Sequence, residues 1–199
     1  MARVKATPAE LRAALEREAE AAAESLIGGA GAAGLTIAVA ESCTAGLVAD
    51  LLARIPGASR VFWGSFVCYT VDAKHRMLGL DRDLVGRFGA VSRETALDMA
   101  RSLAERSGAD LAVSVTGLAG PGGDGSATPV GTVWIGRSVR GGEPAAAVYH
   151  YGGSRSDVRL AAAREAIGIL RDLVGKLSGE AALRGPNPDR ALDRNTGNV

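Results

Sequence analysis

An almost continuous apolar segment at residues 35–40 constrains the fold of this chain more than any other feature of its sequence. Such a run is typical of a central strand that is covered on both faces. Glu41-Ser42-Cys43-Thr44 follows directly, and apolar residues at helical spacing then continue to Leu52. The sequence therefore predicts a buried strand that turns into a helix, with Ser42 and Thr44 at the turn.

Strand and helix patterns alternate along the rest of the chain, and a hairpin comes late. Further strands are predicted at 61–69, 111–115, 132–136 and 145–151, and longer helices at about 7–27, 92–106 and 154–177. This order indicates an α/β fold, a three-layer α/β/α sandwich whose mixed sheet is parallel at first and antiparallel toward one edge. We expect a single domain at residues 1–178 and a disordered tail at 179–199, which holds Gly-Pro-Asn-Pro and scattered charges.

The first helix carries signals at both ends. Thr7 suits the N-cap, Pro8 the first helical position, and Glu10 lies three residues after the cap, as in a capping box. Glycines at positions 28, 29 and 31 are expected to end the helix near residue 27.

Charge and composition argue against several classes of partner. The formal net charge is +1, with 23 basic and 22 acidic residues, so the chain has no basic field for nucleic acid or for an anionic membrane. Two cysteines and two histidines show neither a disulfide framework nor metal-ligand spacing, and we expect no metal and no cofactor. Charged residues crowd the first twenty positions, and no apolar run is long enough for a membrane helix, which favours a cytoplasmic protein.

Three residues at the strand-to-helix turn are candidate nucleophiles: Ser42, Cys43 and Thr44. A turn of this kind surrounds a small side chain with backbone N–H groups. Position alone favours the simpler interpretation that Ser42 caps the helix, since serine is a preferred cap. Cys43 competes because thiols at helix starts have a lowered pKa, but neither histidine has the context of an activating base, so Cys43 is expected to pack in the core.

Lys74 is the candidate base, because the sequence offers no clear Ser-His-Asp set. A lysine can deprotonate a serine only if burial or a neighbouring cation lowers its pKa, and most lysines are simply solvated. Tyr69 precedes it at the end of a predicted strand and could relay a proton or orient the lysine. A core tyrosine with a satisfied hydroxyl is the commoner case.

Residues 116–123 hold four glycines and a proline directly after a predicted strand. Such a backbone can approach a ligand closely and present N–H groups to an anion, although a tight structural turn uses the same residues. The segment matches neither the nucleoside-triphosphatase loop nor the dinucleotide fingerprint. Arg155, where the last helix begins, could clamp a phosphate or remain a surface charge.

Four motifs resemble those of the CinA C-terminal domain family, and the resemblance covers roughly residues 8–175 in order. They are Ala40-Glu41-Ser42-Cys43-Thr44-Ala45-Gly46-Leu47, then Tyr69-Thr70-Val71-Asp72-Ala73-Lys74 with Leu78-Gly79-Leu80, then Gly89-Ala90-Val91-Ser92 with Ala96-Leu97-Asp98-Met99-Ala100, and finally Val115-Thr116-Gly117-Leu118-Ala119-Gly120-Pro121-Gly122-Gly123 with Pro129-Val130-Gly131-Thr132-Val133. Together they are highly specific, and the chain is identified as a member of that family.

The resemblance implies an activity and a catalytic set. Enzymatic members of the family are nicotinamide-nucleotide amidases, usually dimeric, that convert nicotinamide mononucleotide to nicotinic acid mononucleotide and ammonia without a metal. Carried over to this sequence, Ser42 is the nucleophile, Lys74 its general base, and Tyr69 a proton-relay or orienting residue. Activity is then expected to rise with pH through the shifted pKa of the lysine.

The resemblance also implies a substrate-binding set. Thr44 at the turn, and Thr116 with Gly117 and Gly120 in the glycine-rich loop, would bind the substrate, and Arg155 would lie near its phosphate. Main-chain N–H groups near Ser42 or Thr44 would hold the oxyanion. The expected partners are this small nucleotide and a second copy of the chain, with no nucleic acid and no membrane.

Three positions depart from the family pattern and leave alternatives open. Val71, Thr128 and Ser154 stand where the family often has asparagine, lysine and aspartate. These changes leave room for an amidase on a different amide, or for a non-catalytic nucleotide-binding or regulatory module. The first thirty residues are too few to replace the larger N-terminal domain of full-length members, so we expect a stand-alone form.

Overall fold

The predicted central strand is present as β1 (Ile37–Glu41), and all five of its residues are buried. β1 pairs in parallel with β2 (Phe62–Val67) and β3 (Leu111–Gly117). From β3 the sheet continues antiparallel through β4 (Thr132–Val139) and β5 (Ala145–His150), in the order β2-β1-β3-β4-β5. The computed structural model describes residues 7–184, and within them the mixed sheet is as predicted.

Helices cover both faces of the sheet, which confirms the three-layer arrangement. They are α1 (Pro8–Ala33), α2 (Leu47–Ala53), α3 (Val71–Ala73), α4 (Arg82–Phe88), α5 (Arg93–Ser107) and α6 (Arg155–Arg184). α1, α2 and α6 pack on the face that carries Ile37 and Val39, whereas α4 and α5 pack on the face that carries Ala38 and Ala40.

Small residues bring the second helical layer close to the sheet. Gly136 in β4 lies under α5, where an added Cβ would collide with the carbonyl oxygen of Ala96 and lie 2.5 Å from Ser114 Oγ. Ser114 Oγ in turn donates a hydrogen bond of 2.7 Å to that same carbonyl oxygen. α5 therefore rests almost directly on the backbone of the sheet.

The chain runs from β1 through α2 to β2 at one edge, and then returns through α4 and α5 to β3 on the other side of β1. The direction of strand order thus reverses at β1. In open α/β sheets the carboxyl ends of the strands at such a reversal form the crevice in which ligands bind. The topology therefore directs attention to the residues that follow β1, β2 and β3.

The start of α1 is as predicted, but its end is not. Thr7 and Glu10 form the capping box, and Pro8 is the first helical residue. The glycines do not end the helix, which continues to Ala33 and closes at Gly34, with φ at 63°. A mid-helix glycine costs about 1 kcal/mol, which burial of the neighbouring Leu26 and Ala30 outweighs.

α6 is also longer than predicted. It continues past Leu177 and Gly179 to Arg184, so its last turns lie in the segment expected to be a disordered tail. The rest of that segment, 185–199, lies outside the described residues. Among residues 7–184, no helix is long and apolar enough to cross a membrane.

Candidate active site at the carboxyl ends of the parallel strands

Ser42 and Lys74 meet where the topology places a crevice. Ser42 is the first residue after β1, and Lys74 follows β2 by seven residues, in a single π-helical turn at Lys74–Leu78. Lys74 Nζ donates a hydrogen bond of 2.8 Å to Ser42 Oγ and another of 3.1 Å to the carbonyl oxygen of Cys68. The structure thus joins the predicted nucleophile to the predicted base.

The surroundings of Lys74 favour its neutral form. Its side chain is only 1% exposed. Burial lowers the pKa of Lys74 from its ordinary value, and the nearby thiols of Cys68 and Cys43 oppose that shift. No carboxylate of residues 7–184 lies within ion-pair distance of Nζ. A lysine with a depressed pKa beside a hydroxyl is the arrangement that general-base activation requires.

Local structure explains how a lysine becomes buried here. Thr70 caps α3 by accepting a hydrogen bond of 3.0 Å from the Ala73 amide. The chain then widens into the π-helical turn, in which Lys74 and Leu78 both face the interior. Single π-helical turns of this kind are often found at functional sites.

Ser42 does not cap a helix, so the simpler interpretation of its position is wrong. α2 begins five residues later, at Leu47, and residues 42–46 form a separate segment that we call the nucleophile turn. The first amides of α2 are instead satisfied by Glu41, as described below. Ser42 Oγ is left to interact with Lys74 and, over 3.4 Å, with the carbonyl oxygen of Tyr69.

Glu41 is the residue that the sequence-based site omitted. It is fully buried, and its carboxylate accepts hydrogen bonds of 2.9, 3.1 and 3.0 Å from the amides of Gly46, Val48 and Ala49. Ser65 Oγ in β2 adds a fourth, of 3.2 Å. A signal for this role was available, because an acidic residue at the end of a buried apolar run must find several donors.

Cys43 and Thr44, the two residues that follow Ser42 in the nucleophile turn, are also buried. Burial raises the pKa of Cys43 to about 11, which disfavours the reactive thiolate and agrees with a packing role. Thr44 is fully buried, and its hydroxyl has no hydrogen-bond partner among the described residues. Its side chain therefore offers a substrate no exposed surface. The amide of Cys43 makes no main-chain hydrogen bond within residues 7–184 and lies directly beside Ser42.

Tyr69 connects the nucleophile to Arg155. Its main-chain oxygen receives the contact from Ser42 already described, whereas its half-exposed phenol accepts a hydrogen bond of 2.5 Å from Arg155 at the start of α6. Arg155 also donates 2.7 Å to the carbonyl oxygen of Gly120. The phenol is thus held by an arginine, and Tyr69 reaches Ser42 through its backbone.

The glycine-rich loop is shaped by close backbone contacts. Gly117 ends β3, and a Cβ there would lie 2.7 Å from Val133 Cγ2. Gly120 has φ at 80°, in the left-handed region that favours glycine. Thr116 is buried, and its Oγ1 donates 2.7 Å to the carbonyl oxygen of Ala90. The threonine therefore ties the end of β3 to the segment that precedes α5.

A groove of about 630 Å³ lies elsewhere, beside the last turns of α1 and the amino ends of β1 and β2. None of the predicted site residues lines it. The described residues also contain no group of three potential ligands that could hold a metal ion. At the carboxyl ends of the strands, the structure brings together Ser42, Lys74 and their neighbours.

Sequence comparison gives a consistent family assignment. A model of the CinA C-terminal domain matches residues 16–174. Two proteins called CinA-like protein, from Geobacter metallireducens and Akkermansia muciniphila, are 46% and 45% identical over 138 residues, which is 69% of this chain and 33% of each relative. The chain therefore spans about a third of the length of these curated relatives.

Solved structures agree with that assignment. A competence/damage inducible protein from Agrobacterium tumefaciens superposes with a TM-score of 0.76 at 43% identity, covering 78% of this chain and 95% of that one. A competence-damaged protein (CinA) superfamily protein from Escherichia coli gives 0.74 at 30% identity, covering 84% and 94%. With its four motifs, its fold and its matched residues in agreement, this chain belongs to the CinA C-terminal domain family.

Proposed function

We propose that this domain hydrolyses the carboxamide of nicotinamide mononucleotide to nicotinic acid mononucleotide and ammonia. Ser42 is the nucleophile and Lys74 the general base. The observation that carries the proposal is the 2.8 Å hydrogen bond between Lys74 Nζ and Ser42 Oγ, made by a lysine that is buried without a carboxylate partner among the described residues. The choice of substrate comes from the family resemblance.

The first half-reaction forms an acyl-enzyme. Ser42 Oγ attacks the carboxamide carbon while its proton passes to neutral Lys74 Nζ, and the carbonyl oxygen becomes an oxyanion. We assign the amide of Cys43 as a donor to that oxyanion, since it lies next to the nucleophile and makes no main-chain hydrogen bond within residues 7–184. The C–N bond then breaks, and the Lys74 ammonium returns the proton to the leaving nitrogen, which departs as ammonia.

The second half-reaction releases the acid. Water attacks the ester carbon, and Lys74 accepts a proton from it. The bond to Ser42 Oγ breaks, and Lys74 returns that proton to the serine. The product is released as the carboxylic acid and loses its proton to solvent to become the carboxylate, so the enzyme regains its starting protonation state.

Arg155 is the group that we assign to the substrate phosphate. Its guanidinium is exposed and lies between the Tyr69 phenol and the glycine-rich loop, within reach of the crevice. A planar fork of N–H donors suits a phosphate, and the loop backbone can add further donors. Thr116, Gly117 and Gly120 contribute by fixing the shape of this side of the site.

We further propose that the domain acts as a homodimer. β2 is an edge strand, and it exposes Trp63 and Val67, which are 49% and 41% accessible. Exposed apolar side chains on an edge strand are typical of surfaces that a partner covers.

Ammonia release from nicotinamide mononucleotide by the purified chain tests the proposal, with Ser42→Ala and Lys74→Ala beside it. We expect wild type to turn over and both folded variants to lose at least about 10³-fold in kcat, since the two side chains act as one unit. Lys176→Met, an exposed lysine of α6, is the matched control and keeps full activity.

Two results would contradict this function. Wild type that binds the nucleotide without releasing ammonia would favour a binding module. Turnover of another amide, with the same dependence on Ser42 and Lys74, would keep the chemistry and replace the substrate. Val71 and Thr128 would then be the first positions to examine.

A further inference from the structure

Two charged side chains outside the predicted site bind the backbone of the nucleophile turn, one at an amide and the other at two carbonyl oxygens. We propose that Glu41 and Arg159 are positioning residues that together fix residues 42–46, so that Ser42 Oγ stays within hydrogen-bond reach of Lys74 Nζ. The inference rests on the proposed amidase function and assigns two further residues to it.

The turn has a conformation that its own sequence does not favour. Ala45 has φ at 50°, the one positive value at a non-glycine residue within 7–184, and Gly46 follows with φ at 91°. An alanine in the left-handed region costs about 1 kcal/mol or more and persists only where the surroundings enforce it. Contacts from outside the turn must therefore hold its shape.

Glu41 holds the amide side. Its Oε2 accepts from Gly46 and Val48, and its Oε1 accepts from Ala49 and from Ser65 Oγ. One carboxylate therefore fastens the end of the turn to the first residues of α2 and to β2. It is the residue directly before Ser42, so any shift of this anchor is passed to the nucleophile.

Arg159 holds the carbonyl side. It projects from α6, one helical turn after Arg155, and donates 3.2 Å from Nε to the oxygen of Cys43 and 2.7 Å from Nη2 to the oxygen of Thr44. A guanidinium fork can bridge two successive carbonyl groups, which the single ammonium of a lysine cannot do with the same geometry. Arg159 therefore locks the two residues that come directly after Ser42.

Loss of either anchor should affect reactivity more than folding. A displacement of a reacting group by about 1 Å can reduce a rate by about 10². Ser42 also has its amide bonded to the oxygen of Val115 at 2.9 Å, so the strand end remains in place while the turn relaxes. The expected effect is a slower nucleophile in a chain that remains folded.

Labelling with a fluorophosphonate ester measures the nucleophile independently of the natural substrate. Ser42 Oγ attacks phosphorus, fluoride leaves with the P–F electron pair, and the hydroxyl proton passes to Lys74 Nζ. Intact-mass spectrometry gives both the second-order rate constant and the final number of labels per chain. The variants are Glu41→Gln, Arg159→Met and Arg159→Lys. The controls are Glu10→Gln, which alters the exposed cap of α1, and Arg171→Met, a surface arginine of α6.

We expect Glu41→Gln and Arg159→Met to reduce the rate constant about 10- to 100-fold while the end point stays at one label per chain. Arg159→Lys should recover part of the rate, and both controls should match wild type. Where nicotinamide mononucleotide is turned over, kcat should fall with little change in KM. If Glu41→Gln does not fold, the labelling rate constant of Arg159→Met alone tests the inference.

Labelling of Arg159→Met at the wild-type rate would overturn the inference. So would a lower end point at an unchanged rate constant, because that pattern indicates a misfolded fraction. If the wild-type protein is labelled at Ser42 but does not hydrolyse the nucleotide, only the assignment of the substrate is wrong. Wild type that does not label at Ser42 would remove the nucleophile itself, and both proposals would fall.

Discussion

At the scale of single residues, the environment of Lys74 departs furthest from that of an ordinary lysine. The side chain is enclosed, and its ammonium would have only the hydroxyl of Ser42 and the carbonyl of Cys68 to replace water. Burying a charge with so few partners destabilises the fold. The same burial lowers the pKa of Lys74, so the cost to stability and the suitability as a base have one physical origin.

Replacement of this lysine by an apolar side chain should therefore stabilise the protein. The folded chain holds the Lys74 proton less tightly than the unfolded chain, whose lysine has its ordinary pKa near 10.5. Stability therefore rises with pH between the lowered pKa and the ordinary one, and the destabilising contribution is complete below the lowered pKa. Lys74→Met should raise the free energy of unfolding at about pH 7, and this gain should shrink as the pH approaches about 10.

Urea denaturation of Lys74→Met at both pH values tests this, with the exposed Lys176→Met as the control that changes at neither. A destabilised Lys74→Met at neutral pH would mean that the two hydrogen bonds of the ammonium outweigh its desolvation.

At the scale of elements, the site depends on how strand ends and loops are tied together. Thr116 illustrates this, because its hydroxyl is committed to the oxygen of Ala90 and not directed to open space. Thr95 on α5 makes a comparable bond of 2.7 Å, from Oγ1 to the oxygen of Gly89. Both threonines are buried and anchor the same segment before α5.

Thr116→Val and Thr95→Val should therefore behave alike. Each removes a buried hydroxyl donor, although Ser92 Oγ still donates to the oxygen of Gly89 in Thr95→Val. We expect each to lower the free energy of unfolding by about 1–2 kcal/mol. Because both act through the same segment, any rise in KM for nicotinamide mononucleotide should be similar in the two variants. Thermal denaturation and steady-state kinetics measure the two effects. A rise in KM confined to Thr116→Val, with stability unchanged, would instead indicate a direct contact with substrate.

The sequence patterns predicted which helices and strands are present more accurately than the residues at which they begin and end. The apolar run of β1 and the capping box of α1 are local signals, and both were correct. The end of α1 was wrong because packing around Leu26 and Ala30 overrides the weak preference of glycine, which only tertiary structure reveals. The interpretation of Ser42 as the cap of α2 was wrong for a related reason, since the first amides of α2 bond to Glu41, six residues before its first helical residue.

At the scale of the whole molecule, the site is assembled from residues that are distant in sequence. Lys74 and Ser42 are 32 positions apart, Arg155 and Tyr69 are 86 apart, and Arg155 and Gly120 are 35 apart. The motifs identified these residues as candidates, but no local sequence pattern indicates which of them are in contact. The reversal of strand order at β1 brings them to one end of the sheet. Arg155, from the last helix, then links β2 to the glycine-rich loop.

Arg155→Ala should raise the KM of a substrate that carries a phosphate more than that of one that lacks it. Loss of a charge-assisted interaction of about 1.5–3 kcal/mol corresponds to a rise in KM of about 10- to 100-fold for nicotinamide mononucleotide. The KM for nicotinamide riboside, which lacks the phosphate, should change little in Arg155→Ala. Arg171→Ala is the control on the same helix. An equal rise in KM for the two substrates would mean that Arg155 serves mainly to hold Tyr69 and Gly120.

The hairpin between β4 and β5 has a practical consequence. Val139 at the end of β4 pairs with Leu111 at the beginning of β3, so the connection that follows lies at the far end of the sheet from Ser42. Its exposed Gly141 and Gly142 interrupt neither strand. A peptide tag or fluorescent reporter inserted between these two glycines would leave the crevice open to solvent, and a molecule immobilised there would present its reactive end outward.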